Sequence, residues 1–322
     1  MNLLITGAAG NLGSNLARHL IETNRIAQPP HNLKLLIHHN NPPQAIAHAP
    51  NVTIHRADLA DPATLKTPCQ NTGCIIHFAG VLFAPRPEKF LPETNTLYVK
   101  NLVNAALEAG VKKFILVSFP HVEGESTPDH PAKGVMPTTS PISTHARTRL
   151  AAERYLFEAT TNTQMTPIVL RPGMIYGSGI LMIDAARWAS HHHLLAVWRK
   201  PTWIHLLSLP DFLVATQAAI ESDTARGIYN LGDDSPLTLQ EFLDAATAHW
   251  GFHKPWRMPA PAFYAAAALT EAFAAIFRTR APLTRDFIRI GMASYVMDTS
   301  RMKAELLPEL KYPTLAEGIH LF

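Results

Sequence analysis

The sequence predicts an α/β protein: a doubly wound parallel sheet followed by a smaller, mostly helical lobe. Two observations carry this expectation. Short apolar runs alternate with helical stretches along the first half of the chain. The first of those runs passes straight into Thr6-Gly7-Ala8-Ala9-Gly10-Asn11-Leu12-Gly13. Residues 2–5 (NLLI) read as a buried strand and 12–22 as a helix, which puts Gly7, Gly10 and Gly13 on the turn between them. A Cβ there would block the tight turn, the approach of a pyrophosphate to backbone N–H groups, and close packing of helix on strand. The helix N-terminus adds a partial positive charge for the phosphates. The turn, with Ala9, Asn11 and Leu12, is therefore expected to hold a dinucleotide.

The remaining elements follow in order. Residues 33–37 (LKLLI) form a second strand, ending in the loop His38-His39-Asn40-Asn41-Pro42-Pro43. Residues 52–55 form a third, followed by Asp58-Leu59, and 74–78 (CIIHF) a fourth, closed by Ala79-Gly80. A helix over 94–109 stops at Gly110, a helix C-terminal position. Residues 114–117 (FILV) are a fifth strand, 120–143 a long proline-rich loop and mobile rim, 145–159 a helix, and 167–170 (PIVL) a sixth strand. Beyond Gly177 the alternation breaks down. This gives two domains, 1–177 and 178–322, with the chain crossing between them; residues 227–232 (GIYNLG) are placed in the second. Ligands of such sheets bind outside the carboxyl ends of the strands, where the second lobe would close.

With 322 residues, 47% of them apolar, there is material for a substantial core. A net charge of +3 and scattered Lys and Arg form no basic stripe, which argues against nucleic acid as a partner. Cys69 and Cys74, the only cysteines, give no disulfide framework or zinc pattern and fit a reducing cytoplasm. The longest apolar tract, 259–277, reads as a buried helix, with interfacial membrane contact the less favoured alternative. No metal is expected at His191-His192-His193, because adjacent residues on a helix point about 100° apart.

Several motifs in order resemble the extended short-chain dehydrogenases/reductases of the NAD-dependent epimerase/dehydratase family, nearest the 3β-hydroxysteroid dehydrogenase and dihydroflavonol reductase type. Thr6 to Gly13 resembles TGxxGxxG. Asp58-Leu59 resembles the pair that holds the adenine ring, and His77-Phe78-Ala79-Gly80 the segment beneath the cofactor. Asn95 and Asn101 fall where the family has two asparagines before the fifth strand. Arg171-Pro172-Gly173 with Tyr176-Gly177 resembles the RPxxxYG that lines the nicotinamide pocket. Ile228 to Gly232 and Met297 to Arg301 resemble later segments, and IHLLSLPDF, with His205 and Asp211, resembles a structural element between the lobes. The resemblance spans nearly the whole chain. It implies a Rossmann-type sheet with a substrate lobe, and a homodimer through the helices over 94–109 and 145–159.

One part departs from the family. Its members carry Tyr-x-x-x-Lys on the helix after the long loop, and none of the seven tyrosines here has a Lys four residues on. Aligning the Leu-Ala-Ala-Glu end of that helix places His145 at the Tyr and Arg149 at the Lys. His145 then stands as the proton donor and Arg149 as the ribose ligand; the alternative is that both are helix surface left after catalysis was lost. Ser118 is assigned to the substrate oxygen, although strand register also allows Phe119 in that place. His121 is a second acid–base candidate near the substrate, and Trp188 with the neighbouring histidines and Trp198 a possible apolar lid. No acidic residue follows the second strand where NAD-selective sites place one. His38 and His39 stand there instead, which favours NADP over NAD.

The expected function is an NADP-dependent oxidoreductase reducing a ketone or aldehyde of a small, fairly apolar molecule. The alternatives are a non-catalytic NADP(H)-binding sensor or assembly factor, and a nucleotide-sugar epimerase or dehydratase.

Overall fold

Seven strands, all parallel, form one central sheet in the computed structural model, which describes residues 1–24, 30–80, 87–277 and 283–322. In chain order the main elements are β1 (Asn2–Thr6), α1 (Asn11–Thr23), β2 (Asn32–Ile37), β3 (Val52–Arg56), α2 (Pro62–Cys69), β4 (Cys74–His77), α3 (Tyr98–Glu108), β5 (Lys113–Val117), α4 (Thr144–Thr160) and β6 (Thr166–Pro172). They continue as α5 (Leu181–His191), α6 (Leu209–Glu221), β7 (Gly227–Leu231), α7 (Leu239–His249), α8 (Ala260–Phe277) and α9 (Arg285–Met292). The spatial order is β7-β6-β5-β4-β1-β2-β3. The order reverses between β1 and β4, so the crevice outside their carboxyl ends is the switch point where such sheets bind ligands.

The strands read as unbroken apolar runs because both faces of the sheet are covered. Leu3, Ile5 and Ile76 enter one core with α1 and α6, whereas Leu4, Ile75 and Leu116 enter the other with α3 and α4. Alternate residues of one strand thus feed two cores.

Three expectations change. Residues 227–231 belong to the main sheet: β7 pairs with β6 from Gly227↔Ile168 to Leu231↔Pro172. The preceding α6 returns with it. Gln217 of α6 is hydrogen-bonded to His19 of α1 at 2.7 Å, and Lys113 Nζ donates to the carbonyls of Ile220 and Ser222. The helix read over 94–109 begins as a π-helical turn, Pro92–Leu97, before α3; its extra residue buries Asn95 and lets the Thr96 hydroxyl donate to the Thr148 carbonyl of α4 at 2.8 Å. Finally α8 is not a core helix. Only Ala267 and Ala274 of its residues are buried.

The loop over 120–143 is pinned along much of its length. Ser126 exchanges hydrogen bonds with Val296, the Ala132 and Asp298 backbones pair, and Glu123 accepts from the Lys133 and Gly134 nitrogens at 3.0 and 2.9 Å.

Candidate active site

At the switch point the glycine turn is as tight as its sequence demands. Gly7 has φ +67°, a left-handed conformation that favours glycine. Its carbonyl accepts from Gly10 N at 2.8 Å. A Cβ on Gly7 would stand 2.9 Å from the nitrogen of Ala79, one on Gly10 3.0 Å from the Gly7 oxygen, and one on Gly13 would press into the Gly7 backbone. Ala9 and Leu12 pack against the core, and the Asn11 amide donates to the Gly179 carbonyl, tying the turn to the chain that leads into α5. Beside it the Thr6 hydroxyl and His77 Nδ1 are hydrogen-bonded at 2.8 Å, and Ala79 N donates to that hydroxyl at 3.3 Å. The turn therefore rests directly on Phe78-Ala79. A cradle this close fits a dinucleotide pyrophosphate.

The loops after β2 and β3 lie together. The His38 and His39 rings are 3.6 Å apart, and His38 Nε2 is 3.7 Å from an Asp58 carboxylate oxygen. Arg56, which sequence reasoning passed over, donates to the His38 carbonyl at 3.4 Å and to the Asn41 side chain at 2.5 Å. A basic residue at the end of β3, opposite the histidine loop, was the signal available for it. The Asn101 amide donates to the Leu59 carbonyl at 2.9 Å and so fixes the Asp58-Leu59 loop to α3.

α4 presents His145 and Arg149 to the same crevice. Its start is set by Ser143, whose hydroxyl accepts from Ala146 N at 3.1 Å; Asp286 of α9 also accepts, from Thr144 N at 3.3 Å. Arg149 reaches the ends of β4 and β5, where a Cβ on Gly80 would collide with its guanidinium and Nη1 lies 3.5 Å from the Val117 carbonyl. Burial lowers Arg149 to about 10. His145 is buried with its ring edge-on to Phe119 at 4.6 Å, and Phe119 stacks in turn on His121 at 4.6 Å. Burial, then the Arg149 charge and His121, hold the His145 imidazole well below its ordinary pKa. Burial likewise lowers His121 to about 4, and His77, also beside Arg149, to about 3.

These groups share an unusual property. Both ring nitrogens of His145, Nε2 of His77, Nδ1 of His121 and Nε of Arg149 are buried without a hydrogen-bond partner among the described residues. Orphaned polar groups cost about 1–3 kcal/mol each, and here they converge where a cofactor and substrate would supply partners. Next to them, a cleft of about 110 Å3 is lined by His121, Ser143 and Ala146 and, from α9, Arg289 and Ile290.

Five expected site residues are engaged in other contacts. The Ser118 hydroxyl donates to Glu153, and Phe119, one residue on, faces His145 instead. Arg171 is fully buried, bonded to Glu153 by Nε at 3.2 Å and Nη2 at 2.5 Å, and to Glu123 by Nη1 at 2.6 Å. Pro172 simply closes β6 opposite Leu231. Tyr176 is turned toward the chain end, its ring 5.7 Å from Phe322 and its hydroxyl against Gly318. Trp188 lies 60% exposed on a shallow surface cleft with Arg187, His191 and Phe252; Trp198 is buried, bonded to Thr202 at 2.6 Å. His205 and Asp211 serve as structural ties. His205 bridges the Asp233 carbonyl and Met297 N, while Asp211 accepts from Lys311 N and Tyr312 N.

Known proteins resemble this chain. The model of the "NAD dependent epimerase/dehydratase family" matches residues 3–232. A UDP-glucose 4-epimerase of Vibrio cholerae is 24% identical over 81% of this chain and 79% of its own. A 2-alkyl-3-oxoalkanoate reductase of Stenotrophomonas maltophilia is 24% identical over 99% of this chain and 97% of its own. Among solved structures, the dTDP-glucose 4,6-dehydratase DesIV of Streptomyces venezuelae superposes with a TM-score of 0.79 over 100% of this chain and 95% of that one, at 17% identity, a likeness of fold alone. With the glycine turn, the switch point and the family match in agreement, the chain belongs to the NAD dependent epimerase/dehydratase family of extended short-chain dehydrogenases/reductases and is an NAD(P)-dependent enzyme of that class.

Proposed function

We propose that this enzyme is an NADP-dependent oxidoreductase that reduces a ketone or aldehyde on a small, fairly apolar molecule. The observation that carries the reading is the His145–Arg149 pair, buried one helical turn apart at the switch point with nitrogens that no described residue satisfies. The glycine turn would hold the pyrophosphate, Asp58 and Leu59 the adenine, and Phe78-Ala79-Gly80 the underside of the cofactor. Asn95 belongs to the same assignment. His38, His39 and Arg56 offer donors to a 2′-phosphate, and Arg149, against Gly80, offers them to the nicotinamide ribose.

When bound, the reduced nicotinamide supplies a hydride. His145, a neutral imidazole at pH 7, would hydrogen-bond the substrate oxygen through its N–H and pass that proton to the alkoxide as it forms, regaining one from solvent. The fixed charge of Arg149, one turn away, stabilises the negative charge that develops on that oxygen. His121, Ser143 and Arg289 stand on the polar side of the adjoining cleft, and Ile142, Ile290 and Ala293 on its apolar side. The relative that spans nearly the whole chain is named for reducing an oxoalkanoate, which supports a ketone on an aliphatic chain as the substrate class.

The test is NADPH consumption against a panel of aliphatic ketones and aldehydes, with His145→Ala alongside. Loss of about a hundredfold or more in kcat is expected; unchanged turnover refutes the role of His145. Tight NADPH binding with no turnover on any carbonyl would leave the cofactor as a regulatory or structural ligand. A second reading, transient oxidation of a nucleotide sugar, is supported by the epimerase and dehydratase names among the relatives; conversion of a UDP-sugar without net NADPH consumption would select it.

A further inference from the structure

α8 is apolar all round yet covered on one side only. Its mean hydropathy is 1.4, and 11% of it is buried. Leu269, Phe273, Ile276 and Phe277 stand between 57% and 74% exposed, and Trp256 and Met258, just ahead of the helix, add to the same stretch of chain. Clustered apolar surface of this kind marks an interaction site more often than a bare protein surface. The one carboxylate of the helix, Glu271, is occupied: it accepts from Arg285 N and Nε, both at 2.7 Å. The uncovered face therefore carries no charge.

Both ends of the helix are basic. At its start, Lys254 and Arg257 are both paired with Asp244, and Arg199 N is bonded to the Met258 carbonyl, which brings Arg199 and Lys200, in no ion pair among the described residues, to that end. After its end the sequence carries Arg278 and Arg280, while Arg285, which opens α9, is neutralised by Glu271. The helix is also fastened along its length. Phe263 packs on Trp198 at 5.6 Å, the Thr270 hydroxyl donates to the Leu283 carbonyl at 2.5 Å, and Glu271 holds Arg285. A helix held this way lies along the body instead of leaving it to cross a bilayer.

We propose that α8, with Trp256 and Met258, docks the protein onto an anionic lipid bilayer, lying in the interface with its Leu, Phe and Ile side chains at the acyl boundary and the flanking Lys and Arg among the headgroups. An apolar helix with basic ends matches such a surface in both parts: the apolar side chains leave water, and each flanking cation not already held by Asp244 or Glu271 gains about 1 kcal/mol near anionic lipid. A second copy of the chain fits less well. Pairing the same face about a twofold axis would set basic ends against basic ends. The docked face also lies close to the chemistry, because α9 packs against α8, lines the His121 cleft through Arg289 and Ile290, and caps the His145 helix through Asp286.

The experiment is co-sedimentation of the full chain with vesicles of phosphatidylcholine and phosphatidylglycerol, and with vesicles of phosphatidylcholine alone. It is repeated with a triple variant, Leu269→Ser, Phe273→Ser, Ile276→Ser, whose positions are all exposed and outside the active site. The wild-type protein is expected to pellet with the anionic vesicles, less so as salt rises, and the variant to lose about a hundredfold or more in partitioning while melting at the same temperature. The proposal is overturned if the wild-type protein stays in the supernatant with both vesicles or pellets equally with both. It is also overturned if light scattering shows a dimer that the triple variant dissolves.

Discussion

Replacing Arg171 with Met separates two roles that one side chain cannot hold together. The sequence places Arg171 at the nicotinamide; the structure buries it completely between Glu153 and Glu123. Met keeps the apolar stem and removes the guanidinium, leaving a fully buried carboxylate and a nearly buried one with no cation between them. Breaking a buried pair from one side costs about 3–5 kcal/mol. The 322 residues carry an unfolding entropy of about 0.7 kcal/mol per kelvin, at about 2.1 cal/mol per kelvin per residue, so the melting temperature should fall by about 4–7 °C. Calorimetry of both proteins reads that shift, and a fluorescence titration with NADPH reads the other role. NADPH affinity should stay within about threefold of wild type. A melting temperature unchanged to within about a degree, with a tenfold weaker NADPH Kd, would refute the ion-pair account and return Arg171 to the cofactor.

Gly80→Ala pushes a methyl group into the Arg149 guanidinium, so NADPH should bind about tenfold more weakly, read by the same titration. Trp188→Ala removes a ring that stands on the outer surface against His192 at 4.5 Å, and KM for an active carbonyl substrate should not move. Stability should fall between pH 6.5 and about 4. His77 and His121 are neutral in the fold, lowered to about 3 and 4, and charged in the unfolded chain below about pH 6.5. The unfolded state therefore binds more protons there, and each histidine costs up to about 1.4 kcal/mol per pH unit. Asp233, raised by burial to about 8, opposes this, since the fold holds its proton over the same range. Urea midpoints across that window should nonetheless fall with pH, and His121→Phe should flatten the slope. Light scattering tests the homodimer that the family resemblance implies through α3 and α4; Tyr155 bonded to Asn104 at 2.6 Å and the exposed Leu97 lie on that side, and Leu97→Glu should give a monomer.

The first six strands and their helices were legible because a sheet covered on both faces writes each strand as an unbroken apolar run and each helix as a periodic one. The glycine turn was legible for a related reason. Three positions admit no Cβ, and only glycine meets that demand. β7 was misplaced because GIYNLG stands alone beyond the region of regular alternation, and only its pairing with β6 reveals its sheet. α8 was misjudged because composition reports how apolar a helix is and not what covers it. Arg171 and Tyr176 sit in a motif shared with the family, yet a motif fixes neighbours along the chain and not where a side chain points.

Ser118 and Phe119 show how narrow the limit is. A strand turns successive side chains to opposite faces, so a shift of one residue exchanges the face that meets α4 near Glu153 for the one that meets His145. The sequence leaves that phase open at the end of β5, where the regular pairing stops at Val117↔Leu170. The structure decides it through a single backbone bond, Ser118 N to the Leu170 carbonyl at 2.7 Å. That bond continues the ladder by one residue, sends the hydroxyl to Glu153 and leaves Phe119 over His145. The phenyl ring shields the imidazole from water and offers it no hydrogen bond, which is why His145 is both neutral and unpartnered. Phe119→Ser would place a hydroxyl beside the ring and admit solvent. The His145 pKa, followed by NMR titration, should then rise toward 6.5, and an unchanged titration would refute the shielding by Phe119.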